Sequence, residues 1–478
     1  MQKLLREYKE ISLLGKISGL LGWDTEVNMP AKAANGRGVQ SALLTSLIVD
    51  RWNDKEFKKL LETANAKKNL NKKEKAILRN LNRTARIYHK IPKKLLVRES
   101  EITSKAFVEW AKARRENNFK SFAPYLEELL ELSCRMAESL GYKDNPYDAL
   151  LDIYEPNSTA EFYKKLFDKL VPELSEIVRN VKDTKGQIKF KYEIENQKEL
   201  ARFVLTKMGY DFEAGRMDIA PHPFETTLGH FDVRITNRYK ENSLEGLTGV
   251  MHEGGHALYE QGVNEKFEYT PLDHGVSLGI HESQSRFWEN IIGRSQEFGK
   301  FLAPKIKVLN QKQIFEILNS VKSGNVRVDA DEVTYNLHIA LRFEIENALI
   351  NGKIKVKDLP EVWNSKMKKY LGITLKNDAE GVLQDVHWSH NSFGYFPTYT
   401  LGNLYSAQWK FYMQKEIKDF YRLIEKGNFK PILNWLRKNI HQYGSLYYPD
   451  ELVKKITGEE LNPNYFLDYI KEKYQTSH

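Results

Sequence analysis

Residues 252–256 of the chain read His252-Glu253-Gly254-Gly255-His256. On a helix, side chains four residues apart lie on the same face, so the two imidazoles would point in one direction. Neutral imidazole is the most common protein ligand for a dication such as zinc. Glu253 points about 100° away, where it can act as a base on a water at the metal without binding the metal itself. The pentapeptide therefore predicts a helical metal site for hydrolysis.

The alternative interpretation of this motif is a pair of histidines on an ordinary helix. With 12 histidines and 64 acidic residues in 478 positions, random order gives about 0.04 copies of the His-acid-x-x-His pattern. The two glycines weaken the alternative further, because each one costs a helix interior roughly 1 kcal/mol relative to alanine. We therefore expect another backbone element or a substrate strand to approach closely at Gly254 and Gly255.

The third metal ligand is not identified by spacing. Catalytic zinc usually takes three protein ligands and keeps one position for water. Cys134 is the only cysteine, which excludes a thiolate cage and an internal disulfide and favours a reducing, cytoplasmic setting. A carboxylate is therefore expected, and Glu260, Glu282 and Glu289 are the candidates that follow the motif. Glu282 and Glu289 share one face of the next predicted helix, so periodicity leaves the choice open.

Helical periodicity predicts a mainly α protein. No linker rich in Ser, Gly or Pro divides the sequence, so we expect one domain over residues 1–478, with a metal-site core at about 220–400. We expect breaks at four proline-containing pairs: Met29-Pro30, Ile91-Pro92, Ala123-Pro124 and Asn145-Pro146. The alternation in His230–Thr236 predicts a short strand beside the metal helix. That helix is expected at Ser243–Val263, with Ser243 as its cap, followed by a helix at Gly275–Gly293 and later by a loop at Phe393–Gly402.

Several classes of function are disfavoured by composition. The net charge is +9, but the lysines at 55–75 and 353–369 alternate with acidic and apolar residues as on solvated helix faces, so nucleic-acid binding is not expected. The amino terminus lacks the apolar core of a signal peptide. The apolar stretch Ile11–Trp23 is interrupted by Lys16 and is too short to span a bilayer. We expect neither export nor membrane insertion.

A family resemblance rests on six ordered motifs. These are His222-Pro223-Phe224, Asp232-x-Arg234-x-Thr236, His252-Glu253-x-x-His256, His281-Glu282-Ser283-Gln284, Arg327-x-x-Ala330-Asp331-Glu332 and Gly381-x-x-Gln384-Asp385-x-His387-Trp388. With them the chain resembles the carboxypeptidase Taq (thermostable carboxypeptidase 1) family of zinc metallocarboxypeptidases over nearly its whole length. Six motifs in register are far more specific than one pentapeptide.

The resemblance implies a large helical gluzincin-type peptidase with a deep cleft and a small β-sheet beside the HExxH helix. It implies a homodimer that releases C-terminal amino acids from peptides with broad specificity. His252, His256 and Glu282 would bind Zn²⁺, for which Co²⁺ can substitute, and Glu253 would be the general base that acts on the zinc-activated water.

The same resemblance points to Arg327 as the residue that binds the free C-terminal carboxylate, assisted by Tyr399. The guanidinium of arginine suits this role because it can donate two hydrogen bonds to one carboxylate. His387, Tyr395 and Tyr399 are candidate oxyanion donors by their chemistry. Together with these, the predicted substrate-binding residues include four from the earlier motifs: His222, Asp232, Arg234 and Thr236.

Structural alternatives exist for several of these residues. Arg327 could pair with nearby acids on a helix face, Asp232 and Arg234 could pair with each other on the strand, and His222 could be an ordinary loop residue. Trp388 could belong to the core, and Asp385 could orient His387.

Two other functions compete with the carboxypeptidase. An oligoendopeptidase would use the same metal chemistry without needing a carboxylate anchor such as Arg327, and it would also cleave C-terminally amidated peptides. A binding protein with a structural metal is disfavoured, because structural zinc is normally closed by four ligands and only three are evident here. The expected partners are peptides with a free C-terminus.

Overall fold

The computed structural model describes residues 1–180 and 188–475. In this part of the chain there are twenty α-helices and one three-stranded sheet, so the prediction of a mainly α fold with a small sheet is confirmed. Within the same residues, none of the helices has the length and apolar character needed to cross a bilayer. The cytoplasmic location stays a prediction.

The helices, in chain order, are α1 (Gln2–Val27), α2 (Ala34–Asn53), α3 (Lys55–Asn65), α4 (Lys72–Lys90), α5 (Lys93–Glu116), α6 (Phe119–Leu140), α7 (Pro146–Tyr154), α8 (Ala160–Asn180), α9 (Ile194–Met208), α10 (Glu245–Glu260), α11 (Leu278–Arg286), α12 (Gln296–Ile306), α13 (Gln311–Leu318), α14 (Tyr335–Ile350), α15 (Leu359–Leu371), α16 (Pro397–Glu416), α17 (Phe420–Glu425), α18 (Lys430–Asn439), α19 (Pro449–Thr457) and α20 (Asn464–Gln475). The strands are β1 (Met217–Ile219), β2 (Glu225–Gly229) and β3 (Asp232–Asn237).

The chain groups into two compact units. The first contains residues 1–89, 188–318 and 405–461, and the second contains the described residues of 90–180, 319–404 and 462–475. The predicted metal helix and the sheet lie in the first unit. The prediction of one domain over 1–478 stays a prediction.

In the first unit, β3 is the central strand, paired in parallel with β1 and antiparallel with β2. Its alternate residues Val233 and Ile235 are fully buried, as expected for a strand with one face on the core. Helix α10 packs against β2 and β3. The predicted strand beside the metal helix is therefore confirmed, with bounds shifted from His230–Thr236 to Asp232–Asn237.

The metal helix is shorter than predicted at both ends. Helix α10 begins at Glu245, and Ser243 Oγ accepts a hydrogen bond from the Glu245 N–H at 3.1 Å without being the cap residue, which is Leu244. Helix α11 begins later than the predicted Gly275, because the Ser277 side chain caps it by accepting from the Ile280 N–H. It continues as a wide π-helical turn over Phe287–Ile292.

Two predicted breaks or loops are wrong. Pro124 lies inside α6, which continues through it because the flanking Phe122 and Leu126 are buried in the core; the chain turns instead at Asn117, whose φ of 53° ends α5. The predicted loop at Phe393–Gly402 ends early, because α16 begins at Pro397, and proline is well suited to the first position of a helix. The other three proline breaks lie at helix boundaries and are confirmed.

Candidate metal centre

Three side chains of the first unit converge at one point. The ligand atoms of His252, His256 and Glu282 all lie within 4.8 Å of one another, and no other such group of His, Cys, Asp and Glu occurs among the described residues. Glu282 Oε2 is 3.6 Å from His252 Nε2 and 3.4 Å from His256 Nε2. Two imidazoles and one carboxylate are the donor set that catalytic zinc takes in one class of peptidase, so the residues present fit a divalent metal.

The two glycines of the motif allow this convergence. A Cβ added at Gly255 would lie 2.5 Å from the Gln284 carbonyl oxygen and 2.7 Å from the Ser285 Cα, both in the backbone of α11. A Cβ at Gly254 would lie 2.6 Å from Leu205 Cδ2 on α9. The expected close backbone approach is therefore confirmed at Gly255, where α10 and α11 touch and bring Glu282 to the imidazoles.

The structure separates the three candidate carboxylates that spacing left open. Glu282 faces the Nε2 atoms of both histidines. Glu289 lies behind His252, with Oε2 2.9 Å from the Nδ1 atom. Glu260 contacts neither metal-binding imidazole, and its Oε1 is 2.9 Å from Nε2 of His281. Of the three carboxylates, only that of Glu282 belongs to the convergent group.

Glu282 is held in its ionised form by its neighbours. Arg286 Nε donates to Oε1 at 2.7 Å, and Ser285 Oγ donates to Oε2 at 3.0 Å. Burial alone would raise the pKa of Glu282, but the charges of Arg286 and His252 lower this pKa well below its ordinary value of 4.5. Because a carboxylate must be deprotonated to bind a metal, Glu282 is preset for that task.

Glu253, the predicted general base, has different surroundings. Its side chain is buried, and this burial raises its pKa from 4.5 to about 7, although the charge of His252 opposes the shift. A carboxyl group with a pKa near neutrality can both accept and return a proton at physiological pH. Two glutamates beside the same histidine thus differ in protonation behaviour, as an acid-base role and a ligand role require.

The four predicted substrate residues from the earlier motifs make structural contacts. Asp232 and Arg234 form a bidentate pair, with Nε to Oδ1 at 2.7 Å and Nη2 to Oδ2 at 2.8 Å, so the alternative of a pair on the strand is what the geometry shows. Thr236 Oγ1 accepts from the Phe224 N–H at 2.9 Å. His222 lies exposed in the loop before β2. Substrate binding by these residues stays a prediction.

In the second unit, Arg327 is only 5% exposed. Its Nε and Nη2 donate to Asp385 Oδ1 at 3.0 and 2.8 Å, and Nη1 donates to the Tyr335 hydroxyl at 3.0 Å. Burial lowers the pKa of Arg327, but the Asp385 charge outweighs this and raises the pKa well above its ordinary value. The expected alternative of pairing with acids next to Arg327 in sequence is replaced by this pairing with Asp385.

His387 also lies in the second unit, among aromatic rings. Its Nε2 is 3.3 Å from the Tyr399 hydroxyl, and its ring centroid is 5.4 Å from that of Tyr395. Its Nδ1 is 3.8 Å from Asp385 Oδ1, too far for a hydrogen bond. Asp385 therefore does not orient His387 through a hydrogen bond, as the sequence had suggested. Burial and the charge of Arg327 lower the pKa of His387 to about 3.

Asp385 does not hydrogen-bond to His387 because its two oxygens already accept from two arginines. Arg342, fully buried on α14, donates from Nε to Asp385 Oδ2 at 2.7 Å, while Arg327 occupies Oδ1. Sequence reasoning missed Arg342, and no local signal marked it, because its partner is 43 positions away. It also missed His281 and Arg286, although both flank Glu282 closely enough to have been considered.

Comparison with known proteins agrees with this geometry. The sequence profile described as carboxypeptidase Taq (M32) metallopeptidase matches residues 3–474. The chain belongs to this family. Among its relatives in the carboxypeptidase Taq family, it is 42% identical to thermostable carboxypeptidase 1 of Pyrococcus furiosus, over 99% of this chain and 98% of the relative. It is 38% identical to carboxypeptidase 1 of Bacillus subtilis, over 98% and 96%.

Solved structures of the carboxypeptidase Taq family have the same fold. The Pyrococcus furiosus carboxypeptidase superposes with a TM-score of 0.97 at 41% identity, covering 99% of this chain and 98% of that chain. The M32 carboxypeptidase from Deinococcus radiodurans superposes with a TM-score of 0.95 at 34% identity, with the same coverage. The predictions of the family and of a metallocarboxypeptidase with a His-His-Glu metal site are therefore confirmed.

Proposed function

We propose that the protein releases C-terminal amino acids from peptides with broad specificity, using Zn²⁺ held by His252, His256 and Glu282. The observation that carries this proposal is the convergence of these three side chains within 4.8 Å beside a buried glutamate on the same helix. A bound zinc ion would lower the pKa of a water and polarise the scissile carbonyl group. Co²⁺ offers the same charge and a similar coordination, so it is expected to substitute.

Glu253 supplies the proton transfers in this proposal. Its carboxylate takes a proton from the attacking water as oxygen bonds to the carbonyl carbon, and it returns that proton to the amine nitrogen as the C–N bond breaks. The products are one free amino acid and the shortened peptide. Burial raises the pKa of Glu253 to about 7 in the metal-free protein, and a bound dication would lower this pKa, which leaves the carboxylate free to accept the proton.

Arg327 is proposed to recognise the free C-terminal carboxylate. Asp385 and Tyr335 fix the plane of its guanidinium, so an incoming carboxylate would meet a preorganised fork. Tyr395, Tyr399 and His387 are proposed as donors to substrate oxygens. The pKa of His387, lowered to about 3, keeps its imidazole neutral at physiological pH, so one ring nitrogen can still donate.

The first experiment compares a short peptide with its C-terminally amidated twin. Sequential release of free amino acids from the first peptide only is expected for the zinc-loaded protein. Internal cleavage of both peptides would contradict the exopeptidase and favour an oligoendopeptidase. Glu253→Gln is expected to lose about 10²- to 10⁴-fold in kcat while binding the metal, whereas Glu245→Gln, exposed on the first turn of the same helix, is the matched control.

We also propose a homodimer, as the family resemblance implies. Helix α2 exposes Val39, Leu43 and Leu47 at 72%, 61% and 42%, and their i, i+4, i+8 spacing puts them on one face. A second copy of the chain is the proposed occupant. Light scattering should give about twice 55.8 kDa, and Leu43→Lys should shift the mass to the monomer, whereas Val308→Lys, at another exposed apolar site, should not. A monomeric parent protein would contradict this proposal.

A further inference from the structure

A third histidine stands between a metal-binding imidazole and a carboxylate. His281 Nδ1 lies 2.6 Å from His256 Nδ1, and His281 Nε2 lies 2.9 Å from Glu260 Oε1. The two ring planes are inclined by only 26°, with centroids 4.6 Å apart, so the nitrogens face each other close to the ring planes. Glu260 ends α10 one turn after His256, and His281 lies in the first turn of α11, so the chain of contacts His256–His281–Glu260 links the two helices.

The donors in this chain of contacts follow from one oxygen atom. Glu260 Oε1 also accepts from the Gly275 N–H at 2.9 Å, and an ionised carboxylate has acceptors only. The N–H of His281 must therefore be on Nε2. A neutral His281 then offers Nδ1 as an acceptor, and the His256 Nδ1–H donates to it. The lone pair on His256 Nε2 is left for a metal.

The packing around His281 fixes its ring. A Cβ at Gly275 would lie 2.8 Å from His281 Cδ2, so the loop before α11 closes tightly against the imidazole. The ring of Tyr259 also packs against the imidazole of His281, with the two ring centroids 5.3 Å apart. The Tyr259 hydroxyl in turn accepts from the Val276 N–H at 3.1 Å. The imidazole of His281 therefore has little freedom to rotate away from His256.

We propose that His281, held by Glu260, is a positioning residue that fixes the ring plane and tautomer of His256 so that Nε2 faces the metal. The inference rests on the proposed ligand set and deepens it. Glu289 holds His252 directly through a carboxylate, whereas His256 is held through an additional imidazole. Partners of this kind contribute about 10- to 100-fold to metal affinity in other metalloproteins.

The test uses the full-length protein and two variants of His281. His281→Leu keeps much of the volume but has no acceptor for His256 Nδ1–H. His281→Asn offers an amide oxygen near the position of the original Nδ1. The Zn²⁺ dissociation constant is measured by competition with a chromophoric chelator, and the visible absorption of the Co²⁺ form reports ligand geometry independently of activity.

We expect His281→Leu to bind zinc about 10- to 100-fold more weakly with an altered Co²⁺ spectrum, and His281→Asn to recover part of both. Equal losses in the two variants, or parental affinity in His281→Leu, would overturn the proposal. If His281→Leu does not fold, Glu260→Ala decides, because it removes the acceptor that orients His281. Weaker zinc binding by Glu260→Ala supports the proposal, and unchanged binding overturns it.

The same measurements keep this inference separate from the proposed function. If the parent protein binds zinc and cleaves peptides while His281→Leu binds zinc normally, only the role of His281 fails. If the parent protein binds no divalent metal, the ligand set itself fails, and with it the proposed function.

Discussion

Glu289 Oε2 lies 2.9 Å from Nδ1 of His252, while Nε2 of the same ring faces Glu282 at 3.6 Å. One imidazole is therefore held from behind by one glutamate and shares the metal position with another. Arg286 binds both glutamates, donating from Nε to Glu282 at 2.7 Å and from Nη1 to Glu289 at 3.1 Å. The arginine offsets the repulsion between the two carboxylates and sets their spacing.

The first prediction concerns the carboxylate of Glu289. Glu289→Gln keeps the shape of the side chain but removes the charge that strengthens the contact with His252. We expect zinc affinity to fall about 10- to 100-fold, measured by chelator competition. Glu213→Gln, an exposed residue of the same unit, serves as the control. Parental affinity in Glu289→Gln would show that the contact does not support His252.

The second prediction compares the two neighbouring glycines of the metal helix. Gly255→Ala would push a methyl group against the backbone of α11, at 2.5 Å from the Gln284 carbonyl oxygen, whereas Gly254→Ala meets the side-chain ends of Leu205 and Met208. Backbone yields less than flexible side chains, so Gly255→Ala is expected to cost about 1 to 3 kcal/mol of unfolding free energy.

Both variants gain about 1 kcal/mol in helix propensity. Gly254→Ala should cost less, because only two flexible side chains have to move. Urea unfolding of both variants measures the difference. Equal stabilities, or a greater loss in Gly254→Ala, would argue against close contact between α10 and α11 as the reason for Gly255.

The third prediction concerns the buried charges of the second unit. Asp385→Asn removes the one carboxylate that Arg327 and Arg342 share, and both guanidinium groups are almost fully buried. Breaking a buried pair leaves an uncompensated charge and typically costs about 3 to 5 kcal/mol. We expect a loss of this size in urea unfolding, with Asp144→Asn, at a side chain 80% exposed, as the control. A loss no larger than that of Asp144→Asn would mean that the arginines find other compensation.

The fourth prediction is a pH dependence of stability. Glu346 accepts hydrogen bonds from the Tyr147 hydroxyl at 2.6 Å, the Trp388 Nε1–H at 2.8 Å and the Gly394 N–H at 2.8 Å. Complete burial nevertheless raises its pKa from 4.5 to about 7. Below pH 4.5 both the folded and the unfolded chain keep the proton, so the contribution of Glu346 to stability is then fully present.

Between pH 4.5 and 7 the unfolded chain releases this proton and the folded protein retains it, so stability falls as the pH rises. The loss should reach about 3 kcal/mol and should be absent in Glu346→Gln. Urea unfolding of both proteins from pH 4.5 to 8 measures it. Parallel pH profiles would indicate that Glu346 is ionised in the folded protein.

Local periodicity was sufficient for the helices and for the pair of imidazoles, because the spacing of His252 and His256 determines their common face on any helix. It could not choose the third ligand. Glu282 and Glu289 share a face of the next helix, and only the contact of that helix with α10 decides which carboxylate meets the Nε2 atoms. The choice of Glu282 came from resemblance to a family, not from spacing.

Contacts between distant segments were beyond the sequence argument for the same reason. Arg327 and Asp385 are 58 positions apart, so no periodicity relates them. The sequence suggested that Asp385 orients its near neighbour His387. In the structure both oxygens of Asp385 accept from buried arginines instead, because a buried guanidinium needs a counter-charge more strongly than a neutral imidazole does. Desolvation cost, not proximity in sequence, determined the partner.

The backbone contact at Gly255 has a consequence for how the protein acquires its metal. Each ligand is positioned by protein groups: His252 by Glu289, His256 by His281, and Glu282 by Arg286. At Gly255 the main chains of α10 and α11 lie so close that a Cβ would be 2.5 Å from the Gln284 carbonyl oxygen, so the two helices cannot approach further. Because the three side chains converge before any ion binds, we expect metal uptake without a folding transition, unlike in zinc fingers.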